Sequence, residues 1–258
     1  MNLIETNVII EEKPAEEELL RLLQFASIRK IRDLIISYPF LNLHYPTKDL
    51  RTPLTIAIDR GDSQILQLII DKVPTDLDST LTQSCGKSAL MHASYFSRNL
   101  EILQILLKKG VDLNKKDLRG WNCLYYAIVG RKIDNVDFLL KSGLNVNSSD
   151  VLGRTPLMIS VFLSTFDIFI LLLDNGADIH KQDNFGFIAI ELAILRRNRD
   201  CVITLMKRGS NLYKHTPYSK NTILKLAQER MSDILPAVRS NNNQSDLKIF
   251  SKTKILNT

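Results

Sequence analysis

Cysteine is scarce in this chain, with Cys85, Cys123 and Cys201 the only three in 258 residues. The count is odd and no pair has C-x-x-C spacing. That excludes a disulfide framework and favours buried or incidental thiols in a reducing compartment. Histidine is nearly as rare. His44, His92, His180 and His215 fall far apart at spacings that suit no shared metal, so they read as satisfied loop or core residues. No G-x-G-x-x-G or G-K-[ST] loop is present to cradle a phosphate, and no serine or cysteine nucleophile motif appears. The sequence thus offers no catalytic residue, cofactor site or metal site, and no enzymatic activity is expected. Long apolar runs are missing as well. The nearest, Leu157 to Leu173, contains Asp167 together with Ser160, Ser164 and Thr165, and it falls short of the roughly 20 apolar residues of a spanning helix. Met1 to Lys13 carries Glu5, Glu11 and Glu12 around a brief apolar stretch, Val8 to Ile10, which does not resemble a secretion signal. Location in the cytosol or the nucleus is the resulting expectation.

What is present is a period. Gly110, Gly143, Gly176 and Gly209 stand at intervals of 33 residues, each closing a leucine-rich run, and the same interval separates Asp117, Asp150 and Asp183, and Gly120, Gly153 and Gly186. A period of this length signals stacked units that cover one another's apolar faces. The stretch from Asp150 to Asp183 shows one unit. Gly153 lies in a tight turn, and Thr155-Pro156 suits a helix start, since proline at the first position gives up a donor that would be unpaired anyway. Leu157, Ser160 and Val161 then share one helical face, a polar break follows at Ser164-Thr165, and Ile168 to Leu173 begins a partner helix that Gly176 ends.

The unit DVLGRTPLMIS…DIFILLLDNGADIHKQD resembles an ankyrin repeat, whose family signature includes T-P-L-H-x-A and a later G-A-D-V-N. The first motif's slot holds Thr52-Pro53-Leu54, Ser88-Ala89-Leu90, Asn122-Cys123-Leu124, Thr155-Pro156-Leu157, Ile188-Ala189-Ile190 and Thr222-Ile223-Leu224. Small residues follow three positions later, at Ala57, Ala93, Ala127, Ser160, Ala193 and Ala227, where neighbouring helices must approach closely. The fold class implied is an all-α solenoid of stacked helix-turn-helix units with turn fingers.

The organisation expected is a disordered acidic stretch over 1–14, capping helices or a degenerate repeat over 15–47, an array of about six units over 48–238 with the last incomplete, and a disordered basic tail over 239–258. Within 15–47, Glu16 to Phe25 and Ile28 to Ser37 carry the two-helix pattern without the signature turn. Leu50 replaces the first turn glycine, a longer linker (Val73 to Cys85) precedes Gly86, one extra residue enters near Tyr95-Phe96-Ser97, and Pro236 interrupts the last unit.

Ankyrin arrays bind proteins, so the resemblance implies a non-catalytic interaction module that acts as an adaptor, a scaffold or an inhibitor. A substrate-targeting subunit of a ubiquitin ligase or phosphatase complex, and a microbial secreted effector, share the fold. Contacts are implied at the turn tips and the exposed ends of the first helices, the concave face. The tips are Leu118, Arg119 and Trp121, then Val151, Leu152 and Arg154, then Asn184, Phe185 and Phe187. The helix ends supply Tyr95, Phe96, Val129, Phe162, Leu163 and Leu195. Large aromatics beside arginines have the composition of interface hot spots. The competing reading has Phe185 or Phe187 tucked against a neighbouring finger and Trp121 covering its own turn. A second feature is cationic. Arg60, Arg98, Arg131-Lys132, Arg196-Arg197-Arg199 and Arg230 lie in the connections between paired helices, where Arg131, Lys132, Arg196, Arg197 and Arg199 would form a basic edge. Such an edge suits an acidic or phosphorylated protein segment or an anionic headgroup, or it serves solubility alone. The net charge of +6 is modest and no aromatics interleave with the row, which argues against nucleic acid. A monomer with a protein partner is expected.

Overall fold

In the computed structural model, the described residues are 14–38, 51–72, 77, 86–212 and 222–231. They form thirteen α-helices and no strand. The expectations for the two termini, for the linker, for Pro236 and the completeness of the last unit, and for Cys85, His44 and His215 lie outside those residues. The chain divides into two compact units, 1–112 and 113–258.

The first unit holds three helix pairs, α1 (Pro14–Phe25) with α2 (Ile28–Ser37), α3 (Pro53–Arg60) with α4 (Ser63–Lys72), and α5 (Ala89–Phe96) with α6 (Leu100–Lys108). The α1/α2 pair matches the two-helix pattern read from the sequence. Besides its pairing partner, each first helix packs against the next first helix, and each second helix against the next second helix. The second unit repeats the plan with α7 (Cys123–Val129), α8 (Ile133–Lys141), α9 (Pro156–Phe162), α10 (Phe166–Asp174), α11 (Ala189–Leu195), α12 (Arg199–Lys207) and α13 (Ile223–Arg230). Its odd-numbered helices form one row and its even-numbered helices another.

The first helices of the repeats are packed on most of their surface. In α9, all six residues from Pro156 to Val161 are buried, and Ser160 and the matching alanines, Ala57, Ala93, Ala127, Ala193 and Ala227, are fully buried. A larger side chain there would push the rows apart and lose contacts that contribute collectively. The starts are capped as the sequence indicates. Thr52, Ser88 and Thr155 accept the backbone N–H three residues on, at 3.3, 3.3 and 3.2 Å, and Asn122 accepts from Leu124 N at 3.1 Å. Met91 and Met158 place their sulfurs 3.4 Å from the N–H groups of Ser88 and Thr155, so a thioether returns the capping contact. At α11, where isoleucine replaces the cap residue, the Glu191 carboxylate accepts from Ile188 N at 2.9 Å instead.

Four of the helix-to-helix turns hold one left-handed residue, which is Gly61 after α3 but Arg131, Ser164 and Arg197 after α7, α9 and α11, with φ between 54° and 56°. After α5 that turn is absent. Ser97 is extended (φ −66°, ψ 140°), which is how the extra residue seen in the sequence is absorbed. Leu157 to Leu173 contributes to α9 and α10 of one pair, and among the described residues no helix is long and apolar enough to cross a membrane.

Candidate protein-binding surface

Three buried aspartates build the fingers of the second unit. Asp117 Oδ1 accepts the N–H groups of Arg119 and Trp121 (2.9 and 2.8 Å), Asp150 Oδ1 those of Leu152 and Arg154 (both 2.9 Å), and Asp183 Oδ1 those of Phe185 and Phe187 (both 2.9 Å). Each finger closes on its aspartate through a main-chain pair, such as Asp150 N to Arg154 O at 3.0 Å. Successive fingers are also joined to one another, with Val151 N donating to Arg119 O at 3.0 Å and Asn184 N to Leu152 O at 2.9 Å. The fingers pack closely because Gly120 and Gly153 carry no side chain. A Cβ on Gly120 would lie 2.9 Å from Val151 N.

This geometry sorts the expected tip residues into two kinds. Leu118, Val151, Leu152 and Phe185 are exposed, at 73%, 58%, 38% and 50%. Trp121 is half-buried and engaged: its Nε1 donates to Asp150 Oδ2 at 3.2 Å, and its ring stacks on Tyr125 with centroids 5.6 Å apart. It therefore bridges its own repeat to the next rather than covering its own turn alone. Arg119 lies over the Trp121 ring at 4.4 Å and donates to the Tyr126 hydroxyl at 3.3 Å, while that hydroxyl donates to Asp117 Oδ2 at 2.9 Å. Burial first, then the Asp117 carboxylate, pushes the Tyr126 phenol up to about 12. Tyr125 donates from its hydroxyl between the carbonyls of Ser148 and Arg154 (2.8 and 2.6 Å), and burial raises its pKa well above the ordinary range. Arg154 is committed to Asp150 through Nε at 2.8 Å. Phe187 is half-buried beside exposed Phe185.

At the first-helix ends, Phe162 and Leu195 in the second unit and Phe96 in the first are exposed, whereas Tyr95, Val129 and Leu163 are half-buried. Lys87 Nζ sits over both Tyr95 and Phe96, at 5.3 and 5.2 Å from the centroids. Phe25, the last residue of α1, is exposed as well. Sequence reading missed it because 15–47 lacks the signature turn that would have marked it as a helix end.

The basic edge is not a row of loose charges. Arg60 donates to the carbonyls of Leu23 and Ala26 (3.1 and 2.7 Å), Arg131 Nη2 donates to Leu163 O at 3.2 Å, and Arg196 lies 3.5 Å from the centroid of Phe162. These three join neighbouring pairs. Lys132 is half-buried, and Arg197 and Arg199 are exposed. Arg196 thus sets one cation of this edge against one apolar helix end. Among the described residues, no group of His, Cys, Asp and Glu is arranged to hold a metal ion. Cys123 and Cys201 are buried, and burial, then Asp200, pushes the Cys201 thiol up to about 12. Oxidation or nucleophilic use of such a thiol is disfavoured.

The family model for ankyrin repeats in three copies matches residues 22–117 and 115–183. The chain belongs to the ankyrin-repeat family. A protein of Rickettsia felis described as an ankyrin repeat protein is 46% identical over 43 residues, 17% of this chain and 14% of that protein. The shared stretch is thus a small part of the relative's length. Ankyrin repeats are protein interaction modules, which gives the chain a binding role in general terms. Besides the exposed tips and first-helix ends, Ile133 and Phe166 at the starts of α8 and α10 are also exposed.

Proposed function

We propose that this chain is a non-catalytic adaptor, scaffold or inhibitor that binds a protein partner through the tips and first-helix ends of the repeats in its second unit. The observation that carries the reading is the division of labour among the apolar residues there. Leu152, Phe162, Phe185 and Leu195 remain exposed although adjacent residues of the same fingers and helices are buried. Scattered exposed leucines are ordinary, but apolar side chains recurring exposed at two repeat positions are of the kind that proteins cover with partners. Cations along the same edge would steer an acidic or phosphorylated segment toward it. Val129, Leu163, Phe187, Arg119, Arg154 and Trp121 would flank such a contact, and Lys132, Arg197 and Arg199 would serve the encounter.

Affinity purification tests this with the wild type and a Leu118→Ser/Leu152→Ser/Phe162→Ser/Phe185→Ser variant. Because these side chains are exposed, the variant is expected to keep its helical circular dichroism and melting temperature and to lose the specifically captured protein. Equal capture by the folded variant and the wild type would refute the assignment of this surface.

A further inference from the structure

Two arginines from different repeats reach consecutive residues at the end of α9. Arg131, from the preceding repeat, donates to the Leu163 carbonyl at 3.2 Å, and Arg196, from the following repeat, lies 3.5 Å from the centroid of the Phe162 ring. Phe162 and Leu163 are consecutive, so each guanidinium group is held by a fixed feature of the same turn. Each guanidinium carries five N–H donors. One carbonyl and one ring face use few of them, and no carboxylate among the described residues forms an ion pair with either group. Phe162 is 51% exposed even with Arg196 upon it, and Leu195 is 40% exposed one helix away in the same row. The site therefore couples held cations with an open apolar surface.

Resting on the protein-binding reading above, we propose that Arg131 and Arg196 form a seat for one carboxylate of a partner's acidic segment. Phe162 and Leu195 receive the apolar side chain next to that acidic residue. Stacking on the ring and bonding to the carbonyl hold the guanidinium groups in place before binding, so less side-chain freedom is lost when the carboxylate arrives. A carboxylate fits better than a phosphate because this edge is not uniformly basic. Asp134, Asp167 and Asp200 lie in the first turns of α8, α10 and α12. Their charge opposes a dianion more than a monoanion. The recognition element is therefore an aspartate or glutamate within a few residues of a leucine, isoleucine or phenylalanine.

Selection of displayed random dodecapeptides on the immobilised full chain tests the seat. Peptides enriched on the wild type are expected to share an acidic residue near an apolar one. Their synthetic forms are expected to bind Arg196→Gln and Arg131→Gln about tenfold more weakly. Arg196→Lys should rescue little, since the ammonium lacks the planar fork. Lys207→Gln, which removes the same charge from the far end of α12, should change binding little. Neutralising the peptide's acidic residue should cost the same factor on the wild type and nothing further on Arg196→Gln. Enrichment of peptides without the acidic pattern, or equal loss on Lys207→Gln, would overturn the carboxylate seat and leave the broader protein-binding surface standing. Displacement of the peptide by inorganic phosphate at lower concentration than by acetate would overturn it in favour of phosphate. Absence of any enriched peptide would also overturn it, and the purification above then judges the broader reading separately.

Discussion

The packing of successive fingers can be tested at two glycines that look alike in the sequence. Gly143 and Gly153 both have positive φ, +95° and +75°, so alanine at either pays the left-handed cost of about 1 to 2 kcal/mol. Their surroundings differ. Nothing lies within 4 Å of a Cβ on Gly143, while one on Gly153 would overlap the Asn184 side-chain oxygen and lie 2.7 Å from the Asn184 backbone nitrogen. The Asn184 side chain can turn aside. Its backbone nitrogen is held by the bond to Leu152 O at 2.9 Å, so relief requires the two fingers to separate. Crowding of that kind costs about 1 to 3 kcal/mol more. Gly153→Ala is thus expected to lose about 2 to 5 kcal/mol and Gly143→Ala about 1 to 2 kcal/mol. Urea denaturation of the full chain, followed by circular dichroism, would measure both. Equal losses would refute the stated stacking of the Gly153 finger on Asn184.

Other residues give independent checks. Trp121→Phe keeps a ring on Tyr125 but removes the hydrogen bond to the Asp150 carboxylate, so a loss of about 1 to 3 kcal/mol is expected; Leu118→Ala, at an exposed tip, should stay within about 0.5 kcal/mol in the same denaturation assay. Arg197 holds φ at 55°, and Arg197→Gly should be neutral or stabilising in melting temperature, whereas Arg197→Val should destabilise by about 1 to 3 kcal/mol. For pH, burial alone would raise the Asp59 carboxyl, but His92 Nε2 at 2.7 Å and Arg51 at 2.8 Å bring it below its ordinary value. A lowered folded pKa gives stability that is present above the unfolded value near 3.8 and is lost as pH falls through the folded one. The melting-temperature advantage of the wild type over Asp59→Asn should therefore shrink as the pH is taken below that value, and a constant difference from neutral to acid pH would contradict the assignment.

The repeat architecture was legible because it rests on backbone requirements that only a few residues meet. The glycines at Gly110, Gly143, Gly176 and Gly209 all adopt positive φ, and the helix start read at Thr155-Pro156 is capped by Thr155. The left-handed turns at Arg131, Ser164 and Arg197 were less visible, since none is the glycine that such a turn usually signals. The site was legible by position and not by environment. That Trp121 is bonded to Asp150, and that Arg196 covers Phe162, depends on contacts 29 and 34 residues apart in sequence. Periodicity places such residues at similar heights but does not say which of them touch. Phe25 escaped notice for a related reason, because its pair keeps the helical pattern and lacks the finger that sets the register.

The central claim is that a partner covers the first-helix ends and finger tips of the second unit. Hydrogen–deuterium exchange of the full chain, free and with the purified partner, addresses it most directly. Protection is expected at the finger containing Leu152, at the finger containing Phe185, and through the turns after α9 and α11 that follow Phe162 and Leu195. Protection confined to α8, α10 and α12, the row of second helices, with those fingers and turns unchanged, would contradict it.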